Sequence, residues 1–303
     1  MFFKNMLRKF LLFFKKPRRI IIPLSQSGIL NWVSDESFIK FQYRILTGKK
    51  LNLNTPKTYN EKIQWLKLYG NQETYSYMVD KYEVRKYIKD KIGEEYLIPL
   101  LGVWDKFENI DFNILPNQFV LKCTHDSGSI LVVKDKSELN YKNANIKLNK
   151  TLKHNYYYDH RETQYKNIIP KIICEKYMKD LDSVDLIDYK IFCFNGKPLF
   201  LCADYNRFTN HQKIFFDTNW NYIPVKNEYP NNFDLSYKKP EKFDELLEIA
   251  RKLSKDLVHV RVDLYIINNS IYFGELTFSN MGGFSNFEPD EYNYKFGDFL
   301  QLN

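Results

Sequence analysis

The stretch from Arg261 to Gly283, RVDLYIINNSIYFGELTFSNMGG, constrains the fold more than any other. Val262, Leu264 and Ile266 alternate before Asn268-Asn269, and Ile271, Phe273 and Leu276 follow it. This pattern predicts two antiparallel strands around a tight turn, with one apolar face. Charges interrupt it. Arg261 and Asp263 share the opposite face by period-two geometry, and Glu275 sits in an otherwise apolar part of the returning strand. Two carboxylates brought together on paired strands repel unless a cation lies between them, and hard oxygen ligands suit Mg²⁺. A buried Arg–Asp pair beside a surface Glu reads the same residues equally well, and the hairpin alone leaves both readings open.

A 303-residue chain with 44% hydrophobic residues can bury a sizeable core in one or two domains. Its cysteines, at 123, 174, 193 and 202, have no C-x-x-C or metal spacing, and its five histidines are scattered. Reduced core thiols in a cytosolic protein are expected, without a zinc site. The net charge of +8 is concentrated in MFFKNMLRKFLLFFKKPRR, residues 1–19, which hold seven Lys or Arg and no acid. Phe3, Leu7, Phe10, Leu11 and Phe14 fall there at helical spacing among the cations. The apolar run is too short to span a bilayer and no small-residue cleavage site follows. The segment is expected to lie on an anionic inner membrane leaflet, with packing on its own protein as the alternative. Nucleic acid is excluded as partner because the basic charge stops with this segment.

Beyond it, Thr58-x-x-Glu61 is a capping box that opens a helix through Tyr69, and VDKYEVRKYIKDKIG continues as a second helix stopped at Gly93. YLIPLLGVW reads as a strand, FVLKCTHDSGSILVVKD as strand, loop and strand, and residues 141–154 as a helix. A tyrosine-rich connection leads into the apolar strand IIPKIICEKYM. Asn195-Gly196 marks a hairpin in YKIFCFNGKPLFLCAD, and KPEKFDELLEIARKLSKDL is an amphipathic helix. The class is α+β with antiparallel sheets.

Lys122 ends a strand before the polar loop His125-Asp126-Ser127-Gly128-Ser129. Backbone N–H groups of such a loop can meet phosphate oxygens while the lysine supplies a point charge, although the pattern is neither a Walker A sequence nor G-x-G-x-x-G. Taken alone, an ordinary hairpin loop explains it as well, and Lys81 looks like one solvated lysine among many. Glu175-Lys176-Tyr177 closes the apolar strand, where strand-end groups can face an adenine or ribose. Asp180-x-Asp182 has the D-x-D spacing of sugar-nucleotide transferases, but it lies in an acidic turn and such spacings arise by chance.

In their order, TPKTYNEKIQWLKLY, VDKYEVRKYI, IGEEYLIPLLGVWD, FVLKCTHDSGS, EKYM, DYKIFCFNGKP, NRFTNHQK and RVDLY…YFGELTFSNMGGF resemble the TupA-like branch of the ATP-grasp superfamily. That branch is associated with teichuronopeptide and bacterial surface polysaccharides, and the resemblance runs over about residues 55–290. It implies an ATP-grasp fold of two α+β lobes holding ATP between them, here divided as a basic segment 1–24, a helical region 25–115, a lid subdomain 116–178 and a C-terminal subdomain 179–303. Lys81 and Lys122 would hold phosphates, and loop residues His125, Asp126, Ser127, Gly128 and Ser129 would cover them. Glu175, Lys176 and Tyr177 would contact adenine, Asp263 and Glu275 would bind Mg²⁺, and Arg261 would stabilise the transferring phosphoryl group.

Two departures stand out. Relatives end the metal strand in E-x-N, whereas here Glu275 is followed by Leu276 and Thr277, so Thr277, Asn280 or a water must supply the third oxygen. A shorter helical region also stands where the family has a Rossmann-like domain. Asp188, Lys190, Arg207, Asn210, His211 and Lys213 are candidates for acceptor or acyl-phosphate contacts, or else polar residues of a sheet surface. The resemblance implies an ATP-dependent carboxylate–amine ligase that amidates a glycan carboxylate, such as a uronic acid on a lipid-linked glycan, with an amino acid or amino sugar. A glycosyltransferase of the same pathway and a glycan or lipid kinase are the alternatives.

Overall fold

The computed structural model describes residues 21–180, 186–207, 209–231 and 237–302. The basic stretch 1–19 and Asp182 lie outside the described residues. Helices α1 (Ile21–Gln26), α2 (Asp35–Thr47), α3 (Tyr59–Tyr69) and α4 (Val84–Lys91) precede the first strand. The capping box forms as expected: the Glu61 N–H donates to Thr58 Oγ1 at 3.2 Å, and the Thr58 N–H donates to Glu61 Oε2 at 3.0 Å.

The first sheet contains β1 (Leu100–Trp104), β2 (Phe119–Cys123), β3 (Leu131–Val133) and β4 (Ile172–Lys176), in spatial order β1-β4-β2-β3. Helix α5 (Tyr141–Leu152) packs on it through Ala144 and Leu148. The second sheet holds β5 (Asp188–Phe194), β6 (Lys197–Tyr205), β7 (Gln212–Asp217) and β8 (Tyr222–Ile223), while β9 (Lys226–Asn227) lies outside it. Helix α6 (Phe243–Ser254) leads to the hairpin β10 (His259–Ile267) and β11 (Ser270–Thr277). The short strand β12 (Phe287–Glu288) pairs with β9, and α7 (Glu291–Asp298) follows. The larger sheet runs β11-β10-β5-β6-β7-β8, antiparallel throughout.

Both expected hairpin turns occur. Asn268 and Asn269 take φ of 49° and 58°, and Asn195 and Gly196 take 47° and 76°. Two successive left-handed residues match the right-handed twist of the flanking strands, and Asn and Gly tolerate that conformation best.

The two faces of the larger sheet divide the molecule. Tyr189, Ile191, Leu201, Ala203, Val260, Val262 and Leu264 pack under α6, whose Phe243, Leu246, Ile249, Ala250 and Leu253 form its buried stripe. Phe192, Phe194, Phe200 and Phe215 occupy the other face, covered by α3 (Tyr59, Ile63, Leu66) and by Tyr292 and Phe296 of α7. Val84 and Ile88 of α4 join the core under α6. The helical N-terminal region thus shares its core with the second sheet. Among its described residues the only strand is β1, which forms an edge of the first sheet. The four cysteines are buried and free.

Candidate active site

Alternation along β2 sends Phe119, Leu121 and Cys123 into the core and leaves Lys122 half-buried on the other side. There it meets Glu175 of the neighbouring β4, with Nζ 2.6 Å from Oε2. Arg85 of α4 approaches the same carboxylate at 3.4 Å and donates to the Ile98 carbonyl at 3.0 Å. Lys81 hydrogen-bonds the Asp126 carbonyl, and its own N–H donates to Thr124 O at 3.0 Å, tying the loop after β2 to the start of α4. Within that loop Ser129 Oγ donates to Asp126 Oδ1 at 2.6 Å and accepts from the Cys123 N–H at 2.9 Å. Asp126 and Ser129 thereby shape the loop, and Ser127 and Gly128 are its exposed tip. His125 is buried with Nε2 3.0 Å from the His154 carbonyl, so it anchors the loop to the end of α5, and burial holds its pKa below the usual range.

Facing these groups is one end of the larger sheet, on the same face as the phenylalanine cluster. Going along β5, Asp188 and Lys190 precede Phe192 and Phe194 at alternate positions, so a single face passes from charged to aromatic within one strand. Register places Lys190 beside Asp263, and Asp188 between Tyr265 and Asp204. Asp263, 1% exposed, accepts from Arg261 Nε and Nη2, both at 2.7 Å, and from Lys190 Nζ at 2.8 Å. Burial pushes the Asp263 carboxyl up, but Arg261 and Lys190 outweigh it and hold the group below the usual range. Asp188 also pairs with Lys190, and Arg207 reaches its Oδ2 at 3.2 Å. Its Oδ1 is buried without a hydrogen-bond partner. Burial raises Asp188 to about 6 despite the nearby cations.

A β-bulge decides where Glu275 stands. Leu264 of β10 is opposed by Phe273, while Asp263 is opposed by Glu275, so Gly274 is the extra residue. The slip explains why Ile271, Phe273 and Leu276 share the apolar side although their spacing breaks period two, and it aims Glu275 at Asp263. A Cβ on Gly274 would lie 2.9 Å from the Tyr265 ring and 3.0 Å from the Asp263 carbonyl, so glycine is required by close approach. Glu275, 42% exposed at its side chain, lies 3.1 Å from Arg261 Nη2 and accepts from Thr277 Oγ1 at 3.4 Å. Asn280 accepts from Arg261 Nη1 at 2.6 Å. Of the two readings of the hairpin, the buried Arg261–Asp263 pair is present, and Glu275 stands at the wall of a cleft.

That cleft is lined from the first sheet's side by Lys81, Arg85, Lys122, Ser127, Gly128 and Glu175, and from the second by Asp188, Lys190, Arg207 and Glu275. Tyr265, Phe273 and Gly274 contribute to the same wall, with Arg261 and Asp263 directly behind. Other residues expected at the site lie elsewhere. Lys176 is exposed at the end of β4, with Tyr177 half-buried after it. Asn210 is exposed in the turn between β6 and β7. His211 packs at a tilt against Tyr229 with ring centroids 3.8 Å apart, and Lys213 lies over the same ring. The Asp180 carboxylate meets the Asn268 N–H at 3.4 Å, at the turn end of the hairpin and away from Arg261. Arg85, Tyr265 and Phe273 are cleft residues that sequence reasoning did not assign to the site.

The donor set suits Mg²⁺ by chemistry, since Glu275 presents hard oxygens to the cleft and the carboxylates of Asp188 and Asp263 lie buried beside it. Among the described residues no group of three or more His, Cys, Asp or Glu is arranged to hold a metal. Mg²⁺ commonly binds through one or two carboxylates plus substrate phosphates, and this wall has the character of such a half-site.

A family model described as TupA-like ATPgrasp matches residues 61–301. The chain belongs to that family. The ATP-grasp assignment agrees with the α+β architecture of two antiparallel sheets and a helical N-terminal region. Among curated proteins none matches the sequence. Solved structures similar to this ATP-grasp chain include D-alanine–D-alanine ligase from Bacillus anthracis, at 20% identity over 70% of this chain and 62% of that one, with a TM-score of 0.42. The chain therefore spans less than two thirds of that ligase. The Helicobacter pylori D-alanine–D-alanine ligase shows 17% identity over 80% and 69% of the two chains, with a TM-score of 0.41. The ATP-grasp ligase PsnB, complexed with minimal precursor, Mg and ADP, shows 9% identity over 86% and 66%, with a TM-score of 0.37. The family assignment rests on the sequence match and not on these likenesses. No described helix is long and apolar enough to cross a membrane.

Proposed function

We propose that this ATP-grasp protein is an ATP-dependent ligase that joins a carboxylate to an amine through an acyl phosphate, acting on a bacterial surface polysaccharide. The observation that carries the reading is a cleft between the two sheets that gathers cations and carboxylates on both walls, with Glu175 among the cations of the first. Lys81, Lys122 and Arg85 stand on one wall, and Glu275 and Asp188 stand with Lys190 and Arg207 on the other. A polyphosphate needs cations for its oxygens and a carboxylate for its counter-ion, and Lys81, Lys122 and Arg85 facing Glu275 across the cleft supply both.

In this reading Lys122 and Lys81 bind phosphate oxygens, Lys122 exchanging part of its contact with Glu175, and the Ser127-Gly128 tip folds over them. Phe273 and Tyr265 exclude water from the wall below. Glu275 and Asp263 would hold Mg²⁺, with the Asp188 carboxylate nearby. The ion, when bound, screens the charge that repels an attacking carboxylate. Arg261, held by Asp263 and Asn280, directs its guanidinium at the phosphoryl group in flight. Carboxylate attack then gives the acyl phosphate and ADP, and the amine displaces phosphate to leave the amide. Positioning and charge screening suffice for both steps, and no covalent enzyme residue is needed.

The acceptor we favour is a uronic acid carboxylate of a lipid-linked glycan, with an amino acid or amino sugar as the amine. Residues 1–19 would hold the enzyme to the anionic cytoplasmic membrane face. Ile29 and Trp32, 52% and 85% exposed, follow that segment and offer it an apolar continuation. Deleting residues 1–19 should release the protein from vesicles containing phosphatidylglycerol, and unchanged partitioning would sink the membrane reading.

The test of the ligase is ADP and phosphate release with glucuronic and galacturonic acids, each crossed with glycine, lysine, glucosamine and hydroxylamine. Amine-dependent turnover abolished by Glu275→Gln is expected. A stable phosphorylated product formed without amine would replace the ligase by a kinase. Sugar-nucleotide turnover without ATP would replace it by a glycosyltransferase.

A further inference from the structure

Helix α3 carries a polar stripe that the proposed chemistry does not use. Asn60, Gln64 and Lys67, at i, i+4 and i+7, are 2%, 0% and 1% exposed. All three grip the loop that follows β11. Asn60 Nδ2 donates to the Ser285 carbonyl at 2.7 Å, and the Ser285 N–H donates back to Asn60 Oδ1 at 3.0 Å. Gln64 Nε2 donates to the carbonyls of Gly282 and Gly283 at 3.1 and 2.9 Å, and Lys67 Nζ donates to that of Gly282 at 2.9 Å. A Cβ on Gly283 would lie 2.6 Å from Gln64 Nε2, and one on Gly282 would lie 2.9 Å from the His160 ring. The loop has no slack.

We infer that Asn60 is a positioning residue for Arg261, acting through Ser285 and Asn280. Ser285 Oγ accepts from Asn280 Nδ2 at 2.9 Å, and Asn280 Oδ1 accepts from Arg261 Nη1 at 2.6 Å. Asp263 already holds Nε and Nη2. The Asn280 contact holds the remaining nitrogen and completes the set of partners that keeps the guanidinium plane in place. All of Asn60, Asn280, Ser285 and Arg261 are buried, so each contact acts with little competition from water. The helical N-terminal region thus reaches Arg261 through this chain of contacts, from a helix about 200 residues away along the chain.

The inference rests on the proposed role of Arg261, so its test needs two arms. In the first, turnover is measured as hydroxylamine-dependent ADP release with glucuronic acid. Asn60→Ala should lower kcat by roughly a hundredfold, the loss expected for a misplacement of about 1 Å, with the ATP dissociation constant unchanged. In an Arg261→Lys background the same substitution should change kcat by less than about twofold, because coupled residues do not lose independently. Ser285→Ala, which removes only the hydroxyl, should show a smaller loss with the same dependence on Arg261. Leu66→Ala on the same helix should lower the melting temperature while keeping kcat. Losses that simply multiply in the double variant would overturn the relay. The second arm follows amide exchange of the peptide 279–286, which needs no substrate. Faster exchange in Asn60→Ala than in Leu66→Ala is expected, and equal exchange also overturns the relay. If the unmodified protein shows no amine-dependent turnover, the ligase reading has failed, and exchange alone judges the contact chain.

Discussion

The two carboxylates of the β10–β11 hairpin should respond oppositely to losing their charge. Asp263 is 1% exposed and accepts from Arg261 at 2.7 Å twice and from Lys190 at 2.8 Å. Asp263→Asn leaves both cations buried with one anion fewer, and breaking a buried pair in this way costs about 3–5 kcal/mol. Against a total stability of about 5–15 kcal/mol, that is a large fraction. Glu275 is 42% exposed at its side chain and meets Arg261 at a single 3.1 Å contact. Solvent screens such a contact, so Glu275→Gln should cost about 0–1 kcal/mol while abolishing amine-dependent turnover. Urea unfolding at pH 7 measures both, with the m-value checked so that a change in midpoint reports stability. The linkage sign adds a second check. Because the folded Asp263 carboxyl lies below its unfolded value of 3.8, its contribution is present above that pH and fades as pH falls through the lower folded value. The advantage of the unmodified protein over Asp263→Asn should therefore shrink in strong acid. Equal destabilisation by the two substitutions at pH 7 would refute the reading that Asp263, whatever else it binds, anchors two buried cations while Glu275 anchors none.

Lys122→Met should weaken ATP binding by about 10–100-fold, the loss of a charge-assisted contact, as read by nucleotide titration; unchanged affinity removes Lys122 from the phosphate site. Burial raises Glu162 to about 7, so it binds more protons folded than unfolded between its ordinary 4.5 and 7, and its contribution to stability falls as pH rises through that window. Glu162→Gln should flatten that part of the urea-midpoint profile, and an unaltered slope contradicts the assignment. Gly274→Ala, whose Cβ meets the Asp263 carbonyl at 3.0 Å, should cost about 1–3 kcal/mol and lower turnover; full stability and activity would mean that the bulge is not what aims Glu275.

What the sequence disclosed and what it hid follow from the range of the forces involved. The capping box at Thr58, the Asn268-Asn269 and Asn195-Gly196 turns and the stripe of α6 are local. A few neighbouring residues specify each, and each was legible. The bulge left a visible trace, the phase slip between Phe273 and Leu276, although only the pairing shows that it turns Glu275 toward Asp263. Lys190 and Asp188 were legible as polar residues but not as one cluster with Arg261, because strand register brings them together and no single strand encodes it. Asn60, Gln64 and Lys67 were the hardest case. A polar stripe on a helix normally faces water, and here it faces inward because the carbonyls of Gly282, Gly283 and Ser285 are buried and must find donors. A loop that carries Asn280 to Arg261 has to be held from outside the sheet, and one short helix with three donors at i, i+4 and i+7 is enough to hold it.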